Sequence, residues 1–180
     1  MEKNNLFVKK LCFCAVMSAL YVGLDFLSTT LSAPFSMSFK ISLNAFPVIV
    51  AAVCFGPVWG AATGFIGAFI GQLITYGITA TTLLWTLPAV IRGLAVGLMF
   101  IAFKKSLKRL PLILNCVISA LLVTACNTVV MYIDSKIFGY PAALFGVMLL
   151  SRIISGAATS AVIAVILPPI VRKIKTIAKV

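Results

Sequence analysis

The chain has 180 residues, 62% of them hydrophobic and only 10% charged, against roughly a quarter charged in soluble domains. That balance excludes an ordinary soluble domain, and apolar stretches near the ~20 residues that cross a bilayer as helix leave room for about six spans. The net charge of +12 does not point to nucleic acid, because the basic residues sit in short clusters beside apolar segments, where they set topology.

The first span, residues 7–31, has Lys9 and Lys10 at its start and Asp25 near its far end. Its apolar run from Leu11 to Leu31 exceeds the roughly 7–15 residues of a signal-peptide core, so it reads as a span. Ala15 and Ala19 lie one helical turn apart, a spacing that lets another helix approach closely, from this chain or from a partner. Asp25 reads as a satisfied polar group at a helix end rather than a catalytic acid. Residues 32–44, SAPFSMSFKISLN, mix Pro34, serines, Lys40 and Asn44 with Phe35 and Phe39. They form either a lid or a plain interfacial loop.

The second span, residues 43–55, is short for a bilayer and stops at Gly56-Pro57. In the third, residues 58–76, Gly60 and Gly64 continue a four-residue spacing from Gly56, and Gly67 and Gly71 follow, a stripe that favours close helix packing. Gln72 and Tyr76 at its far end are interfacial anchors or pocket residues. The fourth span, residues 83–103, has Trp85 at its mouth, Pro88 where it can kink the helix, and a second close-packing pair in Gly93 and Gly97. Near its middle stands Arg92. An arginine at mid-membrane costs about 3 kcal/mol on an insertion scale and so marks a polar partner or a ligand. Asp25 or backbone carbonyls are the internal candidates, and ligand contact is the stronger expectation.

The fifth span, residues 111–132, holds Asn115 near its start and Asn127 inside it, where an amide bonds either a ligand or another helix. A loop with Asp134, Lys136, Gly139 and Pro141 leads to the sixth span, residues 142–170, with a second embedded arginine, Arg152. Five cysteines lie in apolar stretches without paired ligand spacing, and there is no histidine. They read as small buried hydrophobes, with no metal site and no cofactor expected.

With six spans and a cytoplasmic N-terminus, the inner side receives Lys3, Lys9, Lys10, Lys104, Lys105, Lys108, Arg109, Arg172, Lys173, Lys175 and Lys179. The positive-inside rule therefore places both termini in the cytoplasm. Lys40, Arg92, Lys136 and Arg152 fall in outer loops or outer halves of spans, facing only Asp25 and Asp134. That excess suits an anionic small molecule, its carboxylate paired with Arg92 or Arg152 and its ring system stacked on Trp85, Tyr76 or Phe39.

Six spans in this length, the Ala15/Ala19 pair, the run FGPVWGAATGFIGAFIGQL from Phe55 to Leu73 and WTLPAVIRGLAVGL from Trp85 to Leu98 together resemble the substrate-binding S-component of energy-coupling factor (ECF) vitamin transporters. The resemblance covers essentially the whole chain. It implies an all-α, six-helix protein of the bacterial cell membrane that captures a vitamin on its outer side. It also implies docking onto a transmembrane coupling subunit and two ATPases, and toppling in the membrane as they cycle. Carried onto this chain, Ala15 and Ala19 become docking positions, residues 32–44 a gate, and the outer ends of spans four to six the pocket. Expected pocket residues are Arg92, Arg152, Asn127, Trp85, Tyr76, Gln72, Asn44 and Lys40. A folate-type vitamin is the first expectation, although SAPFSMSFK stands where that branch carries an arginine-rich segment; pantothenate and cobalamin follow.

A self-sufficient channel or secondary carrier is the alternative. It would need an internal repeat or a polar route through the full membrane depth. The inner halves of the spans are almost purely apolar. No phosphate-binding Gly-x-x-x-x-Gly-Lys motif is present, so the chain carries no ATPase of its own. An enzyme is third, because the three acids are scattered and a histidine base is lacking.

Overall fold

The computed structural model describes residues 2–32, 42–104, 106–139 and 144–178. Among them the regular structure is all helical: α1 (Glu2–Ser32), α2 (Ala45–Phe55), α3 (Pro57–Tyr76), a 3-10 turn (Leu84–Thr86), α4 (Leu87–Ala102), α5 (Arg109–Phe138) and α6 (Leu144–Ala178). Lys40 and most of the expected gate lie outside the described residues. Arg152 is placed on α6, and its side chain lies outside the description.

Among the described residues four segments are long and apolar enough to cross a membrane: Leu6–Thr30, Pro57–Tyr76, Leu84–Ala102 and Leu110–Phe138. A fifth is bent, its halves Ile153–Ile163 and Val165–Ile174 meeting at 45°. Pro168 and Pro169 explain the bend, since each lacks an N–H and crowds the carbonyl four residues earlier. The second expected span differs most from expectation. Its helix α2 has 11 residues, about 16 Å at 1.5 Å per residue, or half of the ~30 Å hydrocarbon core. It sits inside the bundle against α1, α3, α4 and α6, with Val48, Val50 and Ala52 fully enclosed.

The α2–α3 corner is set by Gly56, whose φ of 100° and ψ of 176° are open to glycine and strained for other residues. Pro57 then opens α3 in the first turn, where its missing N–H leaves no bond unmade. Pro88 plays the same part at the start of α4. It begins a helix after the 3-10 turn instead of kinking the middle of one.

Between helices in lipid there is no hydrophobic drive, so association rests on van der Waals packing and small residues. The two glycine stripes meet each other. A Cβ on Gly64 would stand 2.5 Å from the Ala89 carbonyl oxygen, and one on Gly93 would strike the backbone of Gly60. The apolar core lies toward the basic end of the bundle, where Ile49, Val53, Val96, Phe100, Leu112, Ile163 and Leu167 interdigitate. Cys14, Cys54 and Cys116 are buried as expected of small hydrophobes, whereas Cys12 faces outward and Cys126 is half-buried.

α5 runs further than the sequence suggested. It continues through Asp134 and Lys136 to Phe138 and stops at Gly139, a left-handed cap with φ 71° and ψ 31°. The outer face of the bundle is strongly apolar, with Phe7, Val58, Leu121 and Val165 among its exposed residues. Such a surface fits hydrocarbon and not water.

Candidate functional site

The site begins on the inner face of α1, where Tyr21, Asp25 and Ser28 recur at helical spacing. Tyr21 is buried and packs on Gly67, where a Cβ would approach its ring to 2.6 Å. Asp25, half-buried, accepts a hydrogen bond from Asn44 Nδ2 at 2.8 Å. Ser28 Oγ accepts the Leu43 N–H at 3.3 Å, and Thr159 Oγ1 of α6 accepts the Ser42 N–H at 3.1 Å. α1 and α6 do not touch each other among the described residues. The entry to α2, a helix that packs on both, therefore adds hydrogen bonds that link α1 and α6.

Arg92 on α4 is half-buried. Its guanidinium lies within electrostatic reach of Tyr21 and Cys116, and Tyr21 in turn lies near Asp25. Among the described residues Arg92 makes no hydrogen bond and no ion pair. Asp25 engages Asn44 instead. A fixed charge held in a membrane-adapted bundle without a counter-ion is costly, and a guanidinium offers five donors matched to a carboxylate or phosphate.

The other expected residues spread around this centre. Trp85 Nε1 donates to Asp134 Oδ1 at 3.4 Å, with Asp134 buried, so this pair joins the 3-10 turn to α5. Lys136 Nζ sits 5.6 Å from the centre of the Tyr132 ring on the surface of α5. Gln72 and Asn127 are half-buried, and Tyr76 is 70% exposed at the end of α3. Ala15 and Ala19 both face outward from α1, while Cys14 and Ser18 on its opposite face bond Thr63 of α3 at 3.0 and 3.4 Å.

Sequence reasoning missed Tyr21, Ser28, Ser42 and Thr159. For the first two the signal was present: the polar groups of α1 recur at i, i+4 and i+7, one face of a helix. Ser42 and Thr159 meet across 117 positions of chain, and no local pattern announces such a contact. Among the described residues the site offers a guanidinium without a bonding partner, a tyrosine and a bonded carboxylate–amide pair. That is recognition chemistry for a polar ligand, and no three of His, Cys, Asp or Glu gather among the described residues to hold a metal.

A family model described as ECF transporter, substrate-specific component, matches residues 9–171. No curated protein matches the chain.

Proposed function

Because the chain belongs to the substrate-specific component family of ECF transporters, we propose that it captures an anionic water-soluble vitamin beside Arg92 and delivers it through an ATP-driven ECF complex. The family is one of transporter substrate-binding subunits, not of enzymes, and it implies a substrate ligand and association with an ECF module. The ligand class rests on one observation, the half-buried Arg92 that has no counter-ion among the described residues. A carboxylate placed there would make a charge-assisted, bidentate pair.

A folate-type vitamin is the first candidate because it supplies carboxylates together with a flat ring for Trp85. Pantothenate, also anionic, is second, and cobalamin, without that charge, is third. In this reading Asn44, Gln72, Asn127, Tyr76, Lys40 and Arg152 complete the pocket or its rim. The outward-facing Ala15 and Ala19 take the coupling subunit, which docks with two ATPases. The chain lies in the bacterial plasma membrane with both termini cytoplasmic, as the basic clusters favour, and α2 counts as the short member of six spans.

The test is equilibrium binding of purified protein to folate, pantothenate and cobalamin. Binding of an anionic vitamin, strongest for the folate type, is expected. Binding of cobalamin alone would overturn the assignment to Arg92.

A further inference from the structure

We propose that the seam between α5 and α6 holds one anionic phospholipid, its acyl chains in an apolar groove and its headgroup phosphate on Arg172. A groove of about 790 Å³ opens along this seam. Its walls include Ile113, Val117, Leu121, Ile153 and Val165, and among the described residues Arg172 is its one charged lining residue. Arg92 and the residues around it take no part.

The register fixes which end is which. Ser160 Oγ approaches the Cys116 carbonyl at 3.5 Å, and a Cβ on Gly156 would stand 3.6 Å from Thr124 Oγ1. The helices are thus antiparallel, and Arg172 falls beside the start of α5. Lys108, exposed at the N-cap of α5, and Lys173, exposed next to Arg172, lie at that same end. The first turn of α5 adds its positive dipole there.

The α5 wall from Ile113 to Thr124 spans about 16 Å and the α6 wall from Ile153 to Arg172 about 28 Å at 1.5 Å per residue, room for acyl chains below a headgroup at Arg172. A lipid with its phosphate at Arg172 would run its chains along the groove toward Gly156, a lining residue about 24 Å away along α6 at 1.5 Å per residue. The bend at Pro168 and Pro169 tilts the last turns of α6, and both prolines line the groove. The source of the space is therefore the same pair of residues that breaks the helix. Apolar space open to a bilayer fills with acyl chain, and a basic group at its headgroup end selects anionic lipid.

Native mass spectrometry of the full chain in detergent, titrated with phosphatidylglycerol or phosphatidylcholine of identical chains, tests this. Phosphatidylglycerol should give a one-to-one adduct at least fivefold more populated than phosphatidylcholine, and inorganic phosphate should not displace it. Arg172→Gln should remove the preference while leaving some adduct, and Ala161→Trp, which fills the groove, should remove both adducts. Unfolding of each variant followed by tryptophan fluorescence checks that it is folded. Equal adducts of the two lipids, or a preference that survives Arg172→Gln in folded protein, would overturn the proposal. So would loss of coupling-subunit association in Ala161→Trp with lipid adducts unchanged, because the groove would then seat the partner protein.

Discussion

The α3–α4 and α5–α6 seams are built from the same kind of sequence, apolar helix with small residues at intervals, yet one is closed and the other open. At the first, the glycines face backbone: Gly64 meets the Ala89 carbonyl and Gly93 meets Gly60. At the second, Gly156 meets only the end of the Thr124 side chain at ordinary contact distance, and a groove of about 790 Å³ runs beside it. Small residues therefore do not by themselves close a helix pair. What closes it is a second stripe in matching register, which α3 and α4 have, while α6 bends at Pro168–Pro169 beside the groove. The closed seam carries Arg92, so the charge proposed to receive the ligand stands on a closely packed helix pair.

The largest effect should come from breaking the closed seam. Gly64→Ala puts a methyl where the Ala89 carbonyl stands, and overpacking of this kind costs about 1–3 kcal/mol. Thermal unfolding in detergent should show a clearly lowered midpoint, and an unchanged midpoint would mean that α3 and α4 are not locked. Asn44→Ala removes the donor to Asp25 and should cost about 1.5 kcal/mol, the lower end for losing a bond to a charged group because both partners are only half-buried. The same unfolding measurement reads it, and the loss should vanish in an Asp25→Asn background if this bond is its source. The smallest effect is expected at the open seam. Gly156→Ala has room for its methyl and gains helix propensity, so its midpoint should stay level or rise by the equivalent of up to about 1 kcal/mol. A fall as large as that of Gly64→Ala would erase the contrast between the seams.

Much of this arrangement was legible in the sequence, because lipid-adapted helices announce themselves by length and hydropathy and because Gly56-Pro57 is an unmistakable break. Both glycine stripes were visible, but their pairing with one another was not, since spacing names a face and not its partner. The enclosure of α2 by four other helices was hidden, because an apolar run looks alike whether lipid or other helices surround it. The end of α5 was misplaced because Asp134 and Lys136 looked like loop residues, whereas Asp134 is buried against Trp85 and Gly139 supplies the cap. At the site, Arg92 stood out by its cost in lipid. Tyr21 did not, because a tyrosine in a span has many uses and only the fold brings it beside that charge.

Arg92, without a counter-ion among the described residues, is proposed to receive an anionic vitamin. Mass spectrometry of small molecules retained by gently purified wild-type protein and by Arg92→Ala tests it without a prior guess at the ligand. A carboxylate-bearing vitamin is expected in the wild type and at least a tenfold loss of it in the variant, with the variant still folded and inserted. Equal retention of the same molecule by both proteins would contradict it.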